Sequence, residues 1–266
     1  MIDRRENYGR HLIRRFLADA RPYRRVLDIG AGRGDDLLAA RAIEPEAGLY
    51  AVEVHPPNVA LLQARGVAVS RLDIERDRLP AASGGVDVVI ANQILEHTKE
   101  VFWILHEITR VLPVGGRLIV GVPNLASLHN RLLLLAGRQP TPIKTASAHV
   151  RGFTKRDLLG FLDEVFPGGY ALRGHGGSNF YPFPAFIARP LAHALPGLAW
   201  GLFLHLEKRR EYDGAFLAFP HLRRLETNFF VGEEAGTGAA GGSSVAAPRR
   251  HGRRAGVTGR RGPAPG

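Results

Sequence analysis

One short stretch constrains this chain more than any other. The apolar run Val26-Leu27-Asp28-Ile29 stops at Gly30-Ala31-Gly32-Arg33-Gly34, and a helical pattern, Asp35 to Ile43, begins at once. A strand that turns through glycines straight into a helix opens a βα unit. Glycine suits that turn because it adopts left-handed backbone freely and lets a ligand approach the amides at the helix start. The pattern then repeats. Gly48-Leu49-Tyr50-Ala51-Val52-Glu53-Val54 reads as a second strand, Pro57 to Arg65 as a helix with proline at its start, and Val67-Ala68-Val69 as a third strand. Gly85-Val86-Asp87-Val88-Val89-Ile90 is a fourth. Thr98 to Leu112 is an amphipathic helix, with Val101, Ile104, Leu105, Ile108, Val111 and Leu112 on one side, and Pro113-Val114-Gly115-Gly116 ends it. Arg117-Leu118-Ile119-Val120-Gly121-Val122 is a fifth strand.

Near-continuous apolar strands alternating with amphipathic helices require a parallel sheet covered on both faces. The expected fold is therefore α/β: a doubly wound, Rossmann-like sheet with helices on both faces over residues 22–123. An N-terminal helix at 1–21 precedes it, with Tyr8, Leu12, Ile13, Phe16 and Leu17 on one face and Pro22 as its stop. A C-terminal cap region at 124–232 completes the same domain. There, Leu125 to Gly137 and Thr154 to Phe166 read as helices, the latter with Thr154 as N-cap. Gly168 to Ala188 is rich in glycine, proline and aromatics and reads as irregular, with Gly174-His175-Gly176-Gly177 as a lid or a loop. Residues 189–206 are apolar with little polar relief. Together with the aromatic run that begins at Phe180, the segment to Leu206 reads as an apolar cap or interfacial helix, or as a helix packed on the sheet or a dimer contact. Residues 233–266 form a Gly/Ala/Arg-rich tail expected to be disordered.

Composition narrows the function. There is no cysteine, which excludes disulfides, thiolate metal sites and a cysteine nucleophile together. The net charge of +11 suggests nucleic acid or an anionic surface. Position weakens that suggestion: from Ala235 onward there are six arginines and no acid, which leaves +5 for residues 1–234. No basic stripe interleaved with aromatics is present, so no specific nucleic-acid partner is expected. No apolar run reaches the roughly 20 residues of a spanning helix, and no secretion-type segment is visible. A cytoplasmic protein is expected. Peripheral contact with the inner face of a membrane through 180–210 stays open, because Lys208, Arg209 and Arg210 follow the apolar run.

The chemistry sits in three acids at the carboxyl ends of successive strands: Asp28, Glu53 and Asp73. The glycine spacing is G-x-G-x-G, not the G-x-G-x-x-G of a dinucleotide fold. A carboxylate at position 28 offers nothing to an anion but would favour a cationic ligand. Glu53 is placed to accept two ribose hydroxyls, and Asp73 to accept an exocyclic amine. An adenosine linked to a cationic group fits this set better than a pyrophosphate.

With these features the chain resembles the class I S-adenosylmethionine-dependent methyltransferases. The resemblance rests on Val26 to Gly34, on Ala51-Val52-Glu53-Val54, on Asp73, on Val86 to His97 and on Glu107 to Val120. The Leu95-Glu96-His97 step and the Arg110-Val111-Leu112 to Gly115-Gly116 turn look like the small-molecule and quinone-type branch. The resemblance implies S-adenosyl-L-methionine as cofactor. Asp28 with Gly30, Ala31, Gly32 and Gly34 would hold its amino acid part, Glu53 its ribose, and Asp73 and Ile74 its adenine. Asn92 and Gln93 would line the methionine side. Tyr8 and Arg10 either close over the cofactor carboxylate or belong to a helix that only packs.

Methyl transfer from a sulfonium is an in-line displacement, so positioning and exclusion of water supply most of the rate. An oxygen or acidic carbon acceptor also asks for a base. His97, just after the fourth strand, and His149, before a loop-to-helix step, are the candidates; each could instead cap or pack. His129 and His175 rank below them, and no metal is expected. A Pro-Pro-Tyr type tetrapeptide is missing after the fourth strand, where Asn92-Gln93-Ile94-Leu95 stands, which argues against methylation of nucleic-acid bases. The expected activity is transfer of a methyl group to a small-molecule, lipid or glycan-precursor acceptor, by a monomer or homodimer. The competing readings are a non-catalytic cofactor-binding partner, an NAD(P)-dependent oxidoreductase and an RNA-binding enzyme.

Overall fold

Five parallel strands and two further ones form a single sheet. The computed structural model describes residues 4–225 and 228–232; the tail at 233–266 lies outside the described residues. The strands are β1 (Arg25–Ile29), β2 (Gly48–Val52), β3 (Ala68–Ser70), β4 (Val88–Asn92), β5 (Arg117–Pro123), β6 (Tyr170–Ser178) and β7 (Gly201–Lys208). Their order across the sheet is β3-β2-β1-β4-β5-β7-β6, with β7 antiparallel to both of its neighbours. The chain runs outward from β1 to β3 on one side, then returns to lay β4 beside β1 on the other. That reversal opens a crevice beyond the carboxyl ends of β1 and β4, the place where open α/β sheets bind ligands.

Alternation along the central strands sends side chains to two separate cores. Val26, Val88, Ile90 and Ile119 face helices α1 (Arg10–Asp19), α2 (Asp35–Ile43) and α3 (Pro56–Ala64). Leu27, Ile29, Val89 and Leu118 face α4 (Val101–Val111), α6 (Lys155–Val165) and α8 (Ala215–Leu222). Each strand is thus buried on both sides, which explains the unbroken apolar runs. Helices α5 (Leu128–Leu135) and α7 (Ala185–Ala194) lie in the C-terminal part. Thr154 caps α6, its hydroxyl accepting the Asp157 N–H at 3.1 Å.

The C-terminal part departs from the sequence reading in two places. Gly168 to Ala188 is not irregular, since nine of its residues form β6. Its glycines serve packing and not a lid: a Cβ at Gly176 would stand 2.6 Å from Leu12 Cδ2, and one at Gly174 would stand 3.2 Å from Phe16 Cε1. Helix α1 therefore seats directly on the strand. The apolar stretch 189–206 is not one interfacial or cap helix either. It divides into α7 and the first part of β7, all eight residues of which are buried. A strand inserted between β5 and β6 with both faces covered needs no polar alternation, so its sequence imitates a buried helix. Residues 201–208 accordingly offer no surface to a membrane. Among the described residues no helix is long and apolar enough to cross one.

Two charged residues of β7 are held by specific partners. The buried Lys208 ammonium donates to the carbonyls of Thr109 (2.9 Å) and Leu112 (2.7 Å) at the end of α4, where a cation complements the helix dipole. Glu207 accepts from Arg173 (2.7 and 2.9 Å), Arg209 (2.7 Å) and Arg117. Hydrogen bonds from Arg173 first, then Arg209, with the charge of Arg117, pull its carboxyl from 4.5 down to about 2. A depressed acid stabilises the fold above its unfolded value and ceases to do so as the pH falls towards the folded value. Replacing Glu207 by Gln should cost on the order of 1 kcal/mol at pH 7, the arginines being partly exposed. It should also flatten the loss of stability between about pH 4.5 and 2, read as the urea midpoint against pH. An unchanged pH profile would remove Glu207 from the account of acid sensitivity.

Candidate active site

Asp28 stands next to last in β1, and the turn that follows is built from left-handed glycines. Gly30 has φ 73°, and a Cβ there would lie 2.8 Å from Ile94 Cδ1. Gly32 has φ 53° and faces open space, with nothing within 4 Å of a Cβ. Its N–H donates to Glu53 Oε2 at 2.7 Å, while Glu53 Oε1 accepts the N–H groups of Val54 (2.9 Å) and His55 (2.8 Å). Glu53, buried at the end of β2, thus braces the loop from behind.

In front of the loop lies a cavity of about 500 Å³, lined by Tyr8, Arg10, Asp28, Gly30, Ala31, Gly32, Arg33, Asp35, Asp36 and Asn92, with Arg5. The structure brings Tyr8 and Arg10 to the glycine loop, and Arg10 reaches Asp35 at 2.5 Å with its guanidinium over the Tyr8 ring. Asn92, at the end of β4, donates from Nδ2 to Asp36 Oδ2 (2.9 Å) and to the Tyr8 carbonyl (3.1 Å). Gly34, Glu53, Asp73, Ile74 and Gln93 do not line the cavity. Gly34 packs on Leu62; Asp73 is exposed in a turn, accepting the Glu75 N–H at 2.9 Å; Ile74 is half-buried against the α4-side core. Asp36 was not singled out from sequence, because an acid in the first turn of a helix reads as a complement to the helix dipole.

The cavity's arginines, Arg5, Arg10 and Arg33, are exposed, whereas its acids Asp28 and Asp36 are buried. Asp28 is only 2% exposed, and burial together with Asp36 and Glu53 pushes its pKa well above the carboxylate range. Burial raises Asp36 as well, against the hydrogen bond from Asn92 and the charge of Arg10. Asn92 Oδ1 and Gln93 Nε2 are buried without a partner, and Gln93 has a strained φ of 57°. Crowded carboxylates and orphaned amide atoms are what a ligand carrying an ammonium and further polar groups would satisfy.

Beyond Ile94 the chain forms a single 3-10 turn, Leu95–His97. Here the structure brings His97 and His149 together, their rings edge to face at 4.6 Å. Each Nδ1 lies against a backbone carbonyl, Ala148 for His97 (3.3 Å) and Pro142 for His149 (2.8 Å). The loop that carries His149 is pinned by the N–H groups of Val150 (2.8 Å) and Arg151 (3.3 Å) to the Glu96 carbonyl. The Arg151 guanidinium bonds the carbonyls of Thr98 and Lys99. Within reach of both histidines is Glu96, 1% exposed, with no other residue partnering its carboxyl oxygens, and burial raises it to about 7. Burial also lowers His97, helped by His149. The Leu95-Glu96-His97 step was the available signal for Glu96. His129 and His175 are elsewhere: His129 is in α5 with its ring against Tyr181, and His175 lies in β6.

The arrangement has known counterparts. The family model described as methionine biosynthesis protein MetW matches residues 10–149. A probable S-adenosylmethionine-dependent methyltransferase of Mycobacterium tuberculosis is 30% identical over 213 residues, 73% of this chain and 70% of that protein. The chain belongs to the class I S-adenosylmethionine-dependent methyltransferases. A ubiquinone biosynthesis O-methyltransferase of Azorhizobium caulinodans is 31% identical over 212 residues, 70% of this chain and 81% of that one. With a transposon-encoded protein of Streptomyces fradiae the match, at 32% identity, covers 41% of this chain and spans only 33% of that relative. Among solved structures, a chain of the complex between the Haloferax volcanii Trm112 methyltransferase activator and a methyltransferase superposes with a TM-score of 0.54 at 16% identity, over 78% of this chain and 90% of that one, and shows the same fold. S-adenosylmethionine is the cofactor of this family, and the cavity's carboxylates and amides suit its ammonium and polar groups.

Acids buried beside one another cost the fold stability when they ionise. A raised acid destabilises the fold increasingly as the pH climbs above its unfolded value. Asp28→Asn should therefore raise the melting temperature of the ligand-free protein at pH 7 and change it little near pH 3. A lower melting temperature at pH 7 would mean that the Asp28 charge is already compensated within the chain.

Proposed function

We propose that the protein transfers the sulfonium methyl of S-adenosylmethionine to a hydroxyl oxygen of a small molecule, a lipid or a glycan precursor. The observation that carries this reading is the crowding of Asp28, Asp36 and Glu53 at the carboxyl ends of β1 and β2 and the start of α2, beside a cavity of cofactor size. The O-methyltransferase among the relatives supports an oxygen acceptor.

The bound cofactor supplies a methyl group that is already activated. Asp28 and Asp36 would hold its ammonium, with the Gly30–Gly32 backbone against its amino acid part. Arg10, with Tyr8 beside it, covers the carboxylate. Glu53 serves the ribose from behind the loop, keeping a lone-pair position beside the three N–H groups it already accepts. Asp73 and Ile74 sit one strand further out, on the adenine side. Asn92 and Gln93 would hold the methionine chain, on the side where the strand leads into Glu96 and His97. The acceptor hydroxyl approaches from that side, where Nε2 of His97 or His149 and the Glu96 carboxylate are the available partners for its proton.

Two experiments test the reading. Asp28→Ala should weaken S-adenosylmethionine binding more than about tenfold in calorimetry, equivalent to at least ~1.4 kcal/mol. Incubating the protein and a methyl-labelled cofactor with a metabolite extract should yield a product heavier by one labelled methyl in untargeted mass spectrometry. Unchanged affinity in both Asp28→Ala and Asp36→Ala, or tight NAD(P)H binding without S-adenosylmethionine binding, would overturn it.

A further inference from the structure

We propose that Glu96, His97 and His149 form a binding site for a divalent first-row cation of the zinc type, placed where the acceptor enters and left open on one side for an oxygen ligand. The role of the site rests on the methyl-transfer reading; the binding itself does not.

One ligand atom from each of the three residues lies within 4.8 Å of the other two. Around a tetrahedral ion with bonds of about 2.0–2.2 Å such atoms stand roughly 3.4 Å apart, so side-chain adjustment closes the set. The carbonyl beside each imidazole assigns its tautomer. A backbone carbonyl can only accept, so Nδ1 of His97 carries a proton towards the Ala148 carbonyl and Nδ1 of His149 one towards the Pro142 carbonyl. Nε2 is thereby left bare on both rings, the pattern by which outer carbonyls orient metal-binding histidines.

The carboxylate supplies an independent indication. Glu96 is 1% exposed and no other residue partners either of its oxygens. An unpartnered buried carboxylate is costly, and a cation held between it and two bare imidazole nitrogens satisfies all three at once. The main chain also fixes the third ligand to the first, because the N–H groups of Val150 and Arg151, next to His149, both donate to the Glu96 carbonyl.

The donor set selects the ion. Two imidazoles and one carboxylate suit zinc and its neighbours and disfavour magnesium or calcium, which prefer oxygen. Three protein ligands with a fourth position open are characteristic of catalytic sites, whereas structural sites are closed by four. Ile94 joins this turn to the cofactor loop, lying against Gly30 on one side and leading into Leu95–His97 on the other. A cation there lowers the proton affinity of a hydroxyl and fixes its oxygen. With the cation in place Glu96, His97 and His149 act as its ligands and no longer as bases: the O–CH3 bond forms as the S–CH3 bond breaks, the sulfur keeps the bond's electron pair and becomes a thioether, and the hydroxyl proton leaves to solvent.

The test uses the full-length protein, dialysed against a chelator and titrated with Zn²⁺ in calorimetry and with Co²⁺ in visible absorption. One equivalent should bind, with the intense absorption of a four- or five-coordinate cobalt site. His97→Ala, His149→Ala and Glu96→Gln should each weaken binding at least about tenfold. Asp28→Ala should leave Zn²⁺ affinity unchanged while losing S-adenosylmethionine, which separates this proposal from the reading of the cofactor cavity. Absence of a stoichiometric site, or binding that survives His97→Ala combined with His149→Ala, would overturn it. If a variant fails to fold, the unsubstituted protein decides: a Co²⁺ spectrum no different from that of the hydrated ion refutes the site.

Discussion

Buried negative charge is the constraint around which this fold is arranged. Asp28 and Glu53 end adjacent parallel strands, and Asp36 opens the helix that follows the glycine loop, so three carboxylates converge where β1 and β4 part company. Their repulsion would disperse a loosely built site. It is resisted by two apolar cores, one on each face of β1, and by the three backbone N–H groups gathered on Glu53. The loop cannot relax, because Gly30 is packed under Ile94 and Gly34 against Leu62. The carboxylates are thus held together by a loop that is fixed before any ligand arrives.

The outer half of the sheet serves the same end. Strand β7 locks β5 to β6, and α1 rests on the bare backbone of Gly174 and Gly176. That seating carries the N-terminal segment with Tyr8 and Arg10 over the mouth of the cavity, where Asn92 ties it to Asp36. The opposite wall is made by a loop whose backbone is fastened to Glu96 and whose Arg151 is fastened to the start of α4. Each wall is thus positioned by a separate hydrogen-bond set, and the two meet at Ile94.

The first five strands and the glycine loop were legible in the sequence because local chemistry dictates them: Val26 to Ile29 can only be a covered strand, and Gly30 and Gly32 adopt φ values that other residues avoid. Asp28 was legible for the same reason, standing at a fixed distance from that turn. The edge of the sheet was not. Strand β7, buried on both faces, has no alternation to distinguish it from a helix, and the glycines of β6 resemble a mobile loop until Leu12 and Phe16 are seen filling the space above them. Asp36 was hidden by its helix-start position. His97 and His149 were each visible as candidates, but their pairing depends on main-chain bonds between distant segments, and Glu96 gains its meaning only from burial without a partner.

The central claim is that the crowded carboxylates receive the ammonium of the cofactor. A crystal structure of the protein with S-adenosylhomocysteine tests it most directly. The account predicts the α-amino group within hydrogen-bonding distance of Asp28 or Asp36, the amino acid chain over Gly30 to Gly32, and the sulfur turned towards Gln93 and the Glu96–His97–His149 wall. A ligand bound with its amino group away from both aspartates, or seated outside the cavity between Tyr8 and the glycine loop, would contradict it.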